Sequence, residues 1–307
     1  LINYKKFFIF LGILFFFIFL NTISSLEKYL STKAALGIIR YYILFLAILY
    51  SFDNFKNFRN KLSYCILFVI LFVTFDLFYQ YFFGEDIFGY KVLGSHGSRL
   101  SGPFGDELIP GSFLVKLFFF SFLIFKGSQF KLTFSYSLII LVVVILTNER
   151  SATIMFVFSL IVFHFFNIQK FLNKIVVIFI ISLSVLIILS TNSKFKEHFI
   201  TQPIKYFKDN HYRAHYLTGI SIFNNNKILG SGMKTFRIEC SNKKYENIKS
   251  KYYKNRCATH PHNIYIEFLS DSGLLGFSFL LSLNLLIIKN LFFYRKKILQ
   301  KREKYIL

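Results

Sequence analysis

The sequence predicts an all-α integral membrane protein with about eight transmembrane helices and one large, mainly helical loop outside the cytoplasm. Hydrophobic residues make up 54% of the 307-residue chain. They stand in unbroken blocks, such as 7–20 and 175–189, and several blocks approach or exceed the roughly 18 apolar residues that span a bilayer. Basic residues collect between the blocks, and one long polar stretch separates the last block from the others.

Eight apolar blocks are counted as spans, at about 7–20, 36–52, 62–83, 112–126, 133–147, 151–167, 174–191 and 264–290. Lys and Arg in short connections mark the cytoplasmic side of a membrane protein. With eight spans, all the short basic segments fall on one side: the N-terminus with Lys5 and Lys6, the connections 53–61, 126–131 and 167–174, and the tail after 290. Both termini are therefore expected in the cytoplasm.

This topology divides the chain into four parts. Residues 1–190 hold the first seven transmembrane helices with short loops, 191–263 form the large external loop, 264–290 the last helix, and 291–307 a basic cytoplasmic tail. The large loop is itself basic, but segments longer than about 60 residues cross the membrane largely regardless of charge. Within it, helical patterns are predicted at 213–223 and 241–253.

The formal charge of +22 has two interpretations. A basic surface is typical of nucleic-acid-binding proteins, but in a multi-span chain cytoplasmic Lys and Arg account for it, so nucleic acid is discounted. The chain begins with Leu1, and Lys5-Lys6 before the first block resembles a signal peptide. Because no small-x-small cleavage site follows, an uncleaved anchor helix is expected.

The three cysteines give two predictions. Cys65 lies in an apolar block and is expected to be a buried, inert thiol. Cys240 and Cys257 lie in the large loop, where an oxidising compartment would allow a disulfide; two free thiols are the alternative. The spacing Cys-x-x-Cys is missing, and His211 and His215, although four residues apart, are interpreted as surface residues rather than ligands. No spacing therefore suggests a zinc site, and we expect no metal or other cofactor.

Unusual polar residues cluster outside the spans. Arg99 lies in a Gly- and Ser-rich stretch, and Arg150 lies between two apolar spans. Because an arginine at the mouth of a helix pair needs a partner, Arg150 is an anion clamp facing a cavity, an interfacial anchor, or the partner of Glu149. Asp76 and His164 are interpreted as the ionisable residues that lie well inside spans, whereas Lys116, inside the fourth span, is expected to extend to an interface.

The most specific pattern is His260-Pro-His262-Asn263, followed after nine residues by Gly273-Leu-Leu-Gly276. The pattern places His262 and Asn263 at the N-terminus of the last helix, where the dipole favours anions and keeps the imidazole closer to neutral. The two glycines are predicted to allow close helix packing. An N-cap asparagine beside an incidental histidine is the alternative. Earlier in the loop, Arg213-x-x-x-Leu217 puts its two residues on one helical face.

Together these motifs resemble the O-antigen ligase and O-antigen polymerase superfamily of bacterial membrane glycosyltransferases. His262-Asn263 with Gly273-x-x-Gly276 resembles the family signature that closes a large periplasmic loop, and Arg213-x-x-x-Leu217 resembles its second loop motif. Further similarities are found at three stretches: Leu229-Gly-Ser-Gly232 with Phe236, Arg150-Ser151, and Arg99-x-x-Gly102-x-Phe104. Relatives usually have more spans, so an N-terminal portion is expected to be missing.

The resemblance implies transfer of a glycan from undecaprenyl diphosphate to a sugar hydroxyl on the periplasmic side of the bacterial inner membrane. An O-antigen ligase-like reaction, with a lipid A–core acceptor, is the first expectation, and polymerase joining of repeat units is the alternative. Arg150 and Arg213, with Arg99, would hold the diphosphate, Asn263 would bind substrate, and His262 would be the base. Arginines would take the place of a divalent metal.

Three other readings stay open. Asp106 or Glu107 is the competing base. A flippase of the same lipid-linked glycan would need ionisable groups near the bilayer midplane, whereas most of them here concentrate at one interface. A non-catalytic scaffold in an envelope-glycan complex is the third reading, in which Arg150 and His262 are purely structural.

Overall fold

The computed structural model describes residues 4–93, 99–122, 130–167, 171–191, 196–201, 211–246 and 248–303. Within these ranges the regular structure is helical, apart from two isolated antiparallel bridges, Glu85–Lys91 and Leu93–Arg99. The all-α prediction is therefore confirmed. Ten α-helices lie in the described ranges: α1 Tyr4–Ser24, α2 Lys28–Asn54, α3 Phe58–Phe83, α4 Pro110–Ser121, α5 Phe130–Leu146, α6 Arg150–Asn167, α7 Phe171–Thr191, α8 His211–Asn225, α9 Phe236–Glu239 and α10 Ile264–Glu303.

Three of the described helices are long and apolar enough to cross a membrane: α2, α3 and the Ile264–Asn290 part of α10. Five shorter apolar stretches accompany them, at Phe8–Ser24, Pro110–Ser121, Leu132–Leu146, Arg150–His164 and Ile175–Leu186. The chain is a helical membrane protein by these criteria. Each of the eight predicted spans overlaps one of these segments, but the number that crosses the bilayer stays a prediction.

The chain divides into two compact units, one made of Leu1–Ile48 with Tyr206–Leu307 and the other of Leu49–Lys205. We call them the loop unit and the helix unit. The loop unit thus combines the first helices with the large loop and the last helix. The four parts predicted from the sequence are defined by membrane topology, whereas these two units are defined by contacts within the protein. The two divisions therefore differ.

The helix unit is built around aromatic and aliphatic side chains of α3 to α7. The ring of Phe118 on α4 lies at its centre, stacked on Tyr136 at 5.2 Å and in edge contact with Phe156 at 4.8 Å. All three helices involved bury an apolar face here. Cys65, which was expected to be buried, is instead exposed, because it lies on the face of α3 away from this core.

The loop unit has two small cores. Phe17, Ile18, Ala35 and Met233 pack α1 and α2 against the 229–235 turn. Ile222, Phe236, Cys240 and Tyr245 pack α8 against the rest of the loop. Helix α8 matches the predicted helix at 213–223.

The second predicted loop helix, 241–253, is wrong. The stretch ends on the first residue of one 3₁₀ turn, Tyr253–Asn255, and its other helical element among the described residues is the 3₁₀ turn Lys243–Tyr245. Asn242 caps this turn, because its side chain accepts the backbone N–H of Lys244 at 3.0 Å. After this turn the backbone leaves the helical pattern, because the amides of Ile248 and Ser250 donate to the carbonyls of Glu246 and Ile248, two residues earlier, at 2.9 Å each.

Helix α10 is broken at Gly273, whose φ of 62° and ψ of −163° are not helical. The amides that follow the break leave the helix ladder: Leu274 donates to the carbonyl of Lys227 at 2.8 Å and Leu275 donates to that of Ile228 at 3.2 Å. A side chain at Gly273 would collide with the Ile228 carbonyl. Gly273 therefore allows a kink and a close approach of the Ile228 backbone, and not the helix–helix packing predicted from the sequence. Gly276, in contrast, faces α1, with Phe17 next to it.

Candidate functional site

The loop unit gathers three aromatic side chains around His262. The ring of His262 lies 5.1 Å from Tyr212, 5.3 Å from His215 and 4.3 Å from His260, measured between ring centroids. Tyr212 and His215 come from the first turn of α8, whereas His260 and His262 precede α10. The packing of α8 on α10 thus brings together residues about 50 positions apart.

His262 itself has an unusual backbone and an accessible side chain. Its φ of 56° is left-handed, a conformation that is uncommon for residues other than glycine and that often occurs at functional sites. Although the residue is exposed, packing against neighbours lowers the pKa of the His262 imidazole below its usual 6.5; burial is the largest cause, His260 and His215 add to it, and Glu267 opposes it. The ring is therefore neutral, with a free lone pair, near neutral pH.

Asn263 is the N-cap of α10. Its side-chain oxygen accepts the backbone N–H groups of Tyr265 at 3.0 Å and Ile266 at 3.2 Å. This bonding satisfies amides that a helix leaves unpaired at its start. The structure thus places His262 and Asn263 at the helix N-terminus, as the sequence predicts, and uses the Asn263 oxygen within the protein.

Arg213 lies on the same first turn of α8 as Tyr212, and its side chain is exposed. Leu217 follows one helical turn later and is half-buried. The predicted arrangement of arginine and leucine along one helical face therefore agrees with the observed helix. Because Tyr212 contacts His262, the turn that carries Arg213 adjoins the histidine cluster.

A second polar centre in the loop unit, missed by the sequence reasoning, surrounds Asp271. This carboxylate is 4% exposed and accepts the backbone N–H groups of Lys234 at 2.9 Å and Phe236 at 3.2 Å. Lys234 also extends its ammonium group to Glu267 at 2.6 Å. Asp271 therefore fixes the turn before α9 onto the short helical stretch that begins beside His262.

The backbone around Asp271 strengthens this junction. Helix α10 breaks at Gly273, which leaves the carbonyls of Ser270 and Asp271 without partners in the helix. Ser231 and Gly232 donate their amides to these carbonyls at 2.9 and 3.0 Å. The Gly230-Ser-Gly232 stretch of the sequence analysis is thus attached to α10 by backbone hydrogen bonds. Asn21 of α1 joins it through a bond to the Asp271 carbonyl at 3.0 Å.

Cys240 and Cys257 are joined by a disulfide, with their Cα atoms 5.2 Å apart. Cys240 is fully buried in the small core under α8. Arg256 donates to the carbonyl oxygens of Cys240 at 2.8 Å and Ser241 at 3.2 Å. The crosslink thus ties the segment before His260 to the end of α9.

The helix unit holds the other predicted arginines. Arg150 is the first residue of α6 and is half-buried. The carboxylate of Glu149 accepts the amides of Gly111 at 2.6 Å and Ser112 at 3.2 Å, and the Ser112 hydroxyl at 2.8 Å. Glu149 therefore caps the N-terminus of α4.

Arg99 lies at the end of a short antiparallel pairing, in which its backbone exchanges hydrogen bonds with Leu93. Its Nε is buried and has no hydrogen-bond partner among the described residues. The segment after it is held by Gln80 of α3, whose side-chain oxygen accepts the amides of Ser101 and Gly102, each at 2.9 Å. No local pattern indicates this role of Gln80, because its partners lie more than 20 residues away.

The ionisable residues inside the predicted spans make contacts within the protein. Asp76 is fully buried, and one of its oxygens accepts the amide of Ile87 at 2.9 Å. The ring of His164 packs against Phe134 and Phe163 at 5.4 and 5.2 Å. Arg40, five residues into the second predicted span, was overlooked and belongs with them. Asp106 and Glu107, the competing bases, are exposed residues between Phe104 and α4.

The family comparison bears on these residues. Residues 135–281 match the family model described as O-antigen ligase, which confirms the resemblance to the O-antigen ligase superfamily. The matched region contains Arg150, Arg213 and His262, and Arg99 lies outside it. The family comprises glycosyltransferase-like membrane enzymes of bacteria that act on a lipid-linked glycan and an acceptor. No curated protein and no solved structure matches the chain.

Proposed function

We propose that the protein is an O-antigen ligase-like transferase that moves a glycan from undecaprenyl diphosphate to a sugar hydroxyl of lipid A–core. The reaction would occur on the periplasmic face of the inner membrane. In this proposal eight helices cross the bilayer, both termini are cytoplasmic, and residues 191–263 form the periplasmic loop. The disulfide of Cys240 and Cys257 favours this placement, since such bonds persist in oxidising compartments.

The observation that carries the proposal is the His262 cluster within the region matched to the O-antigen ligase family. The acceptor hydroxyl has to lose a proton as its oxygen attacks the anomeric carbon of the donor sugar. A neutral imidazole that is accessible to solvent is suited to accept that proton near neutral pH. We assign this role to His262, whose pKa is lowered by burial and by the neighbouring histidines.

The leaving group defines the second requirement. When the bond between the anomeric carbon and the diphosphate oxygen breaks, the electron pair and its charge remain on the diphosphate. Guanidinium groups neutralise such charge and bind phosphate oxygens in bidentate pairs. We assign this role to Arg213 and Arg150, with Arg99 contributing, and we propose no metal ion.

Asn263 contributes through the helix that it caps. With its side-chain oxygen bonded to Tyr265 and Ile266, its amide group is the part left for a substrate oxygen. We therefore propose that Asn263 orients the acceptor while it fixes the start of α10. The dipole of that helix would favour the anionic donor at the same end.

The test is a two-part experiment. The gene is deleted in the host and the surface polysaccharide is analysed: accumulation of unattached lipid-linked polymer supports a ligase, whereas single repeats attached to core indicate a polymerase. Purified protein is then mixed with lipid-linked donor and acceptor in vesicles. Formation of the new glycosidic bond without other proteins supports the proposal. Movement of glycan across the bilayer without bond formation would indicate a flippase, and neither activity would indicate a scaffold.

A further inference from the structure

The ring of Tyr212, in the first turn of α8, is exposed beside the proposed base. Its relative exposure is 49%. The ring lies 5.1 Å from that of His262 with the planes inclined by 80°, and 6.1 Å from that of His215 with the planes inclined by 84°. Edge-to-face contacts of this kind are a preferred arrangement of aromatic rings. The phenol ring is therefore held in a defined position while about half of its surface faces solvent.

Two other tyrosines show how this position differs from a structural one. Tyr245 is 2% exposed and belongs to the small core under α8. Tyr136 stacks on Phe118 and shares a hydrogen bond with Ser121 at 3.1 Å. Both rings fill space inside the protein, whereas the ring of Tyr212 lies at the surface. Exposed tyrosines are common in binding surfaces, because the ring offers a rigid apolar face at low cost in conformational entropy.

A sugar ring has the chemistry that such a face can bind. The hydroxyl groups of a pyranose stand mainly around its rim, and C–H groups cover much of its two faces. Contact between one face and an aromatic ring removes apolar surface from water, and the rim hydroxyls stay available for hydrogen bonds. An exposed tyrosine beside a proton acceptor can therefore hold a sugar whose hydroxyl is to react.

We propose that Tyr212 binds the acceptor sugar by stacking against one of its faces and thereby determines the affinity for the acceptor. This inference rests on the proposed function, in which His262 takes the proton of the acceptor hydroxyl. Atoms in van der Waals contact are about 4 Å apart, and the rings of Tyr212 and His262 are 5.1 Å apart. A sugar that contacts the tyrosine therefore also adjoins the imidazole.

The next residue, Arg213, is assigned to the diphosphate of the donor. Successive residues of an α-helix point in directions about 100° apart, and both Tyr212 and Arg213 are exposed. One helical turn thus offers an uncharged ring to the acceptor sugar and a guanidinium group to the leaving group. The two substrates would meet at this turn without competing for the same side chain.

The first experiment measures acceptor binding to the purified full chain by isothermal titration calorimetry, with no donor present. The probes are two lipid-free oligosaccharides of the host, the lipopolysaccharide core and a single O-antigen repeat, and we expect the wild type to bind one of them. Tyr212→Leu should weaken this binding about tenfold or more, which corresponds to 1.4 kcal/mol. Tyr212→Phe keeps the ring and should stay within about threefold of the wild type. Equal affinity of the wild type and Tyr212→Leu, or no binding of either probe by the wild type, would overturn the proposal.

The absence of tryptophan from the chain allows a second readout. Tyr212→Trp introduces a single indole at the proposed contact and keeps an aromatic face there. Its fluorescence should change saturably as the bound oligosaccharide is added. Tyr29→Trp is the matched control, because Tyr29 is 81% exposed at the start of α2, and its fluorescence should stay constant. Changes of equal size in both variants would overturn the proposal.

The transfer assay separates substrate binding from positioning of the base. Tyr212→Leu should raise the KM for the acceptor about tenfold or more, with the larger part of its effect in KM rather than in kcat. A fall in kcat at unchanged KM would mean that Tyr212 acts only by positioning His262, and it would overturn the proposal. Binding of the acceptor without any transfer by the wild type would instead contradict the proposed function, and the affinities of the Tyr212 variants would still decide the role of the tyrosine.

Discussion

The imidazole rings of His215 and His262 are stacked, with their centroids 5.3 Å apart and their planes inclined by 28°. His215 is anchored by a hydrogen bond between its Nε2 and the carbonyl of Asn255, at 2.9 Å. Two adjacent rings that both carried a proton would repel each other, and this repulsion contributes to the lowered pKa of His262. The pairing therefore favours a neutral imidazole at the start of α10.

The first prediction concerns the pH dependence of transfer. Because the pKa of His262 is lowered, the acid limb of kcat/KM should have its midpoint below the usual 6.5. His260 lowers this pKa and Glu267 raises it. His260→Asn should therefore move the limb to higher pH, and Glu267→Gln should move it to lower pH. Rate profiles of both variants check this, and shifts of the same sign would contradict the assignment.

The second prediction concerns the buried carboxylate of Asp271. In Asp271→Asn one oxygen is replaced by an NH₂ group, which would oppose an amide of Lys234 or Phe236. Loss of a buried hydrogen bond of this kind costs about 1–3 kcal/mol, so the midpoint of thermal unfolding in detergent should fall.

The matched control for Asp271 is Glu267→Gln, one turn earlier on the same helix. It breaks the ion pair with Lys234, whose side chain is 50% exposed, and exposed pairs contribute only about 0–1 kcal/mol. If both variants unfolded at the same temperature, the proposed role of Asp271 in fixing the turn before α9 would be wrong.

The third prediction concerns the kink of α10. Gly273→Ala would combine a left-handed backbone with a collision against the carbonyl of Ile228. A non-glycine residue held in such a conformation costs on the order of 1–3 kcal/mol. We expect a lower unfolding temperature and loss of activity, since the kink positions the helix that begins beside His262. Gly12→Ala, in open space within α1, should be neutral or slightly stabilising, and equal damage in both would exclude the kink as the cause.

The fourth prediction concerns the disulfide. Peptide mapping of the membrane-extracted protein without reductant should recover Cys240 linked to Cys257, with Cys65 as a free thiol. Replacing both loop cysteines by serine should destabilise the loop unit by about 3 kcal/mol in the chain-entropy model. Recovery of free thiols at Cys240 and Cys257 would count against an external location of the loop.

The sequence predicted well what depends on local pattern. The apolar blocks overlap the apolar helices, and the residues predicted to form the first loop helix lie within His211–Asn225. Asn263 was placed at the helix start, where it acts as the cap. In each case the determining contacts lie within a few residues of one another, so periodicity and capping signals were sufficient.

The roles of residues that act through contacts distant in the chain could not be predicted from the sequence. Asp271 acts through amides about 35 residues away, and Gly273 breaks its helix because the backbone of Ile228 approaches it. Neither relation leaves a local pattern. The stretch 241–253 carried a helical pattern, but the amides of Ile248 and Ser250 bond to carbonyls two residues earlier instead of continuing a helix. Arg40, in contrast, was visible as an arginine inside a span and was simply overlooked.

The most direct test of the account compares two neighbouring histidines in a purified transfer assay. Wild-type protein, His262→Ala and His260→Ala are reconstituted with lipid-linked donor and lipid A–core acceptor, and single-turnover rates are measured after insertion has been verified. We predict that His262→Ala loses at least about a hundredfold in rate, as expected for removal of a general base, while His260→Ala stays active with an altered pH profile. Full activity of His262→Ala would contradict the central claim.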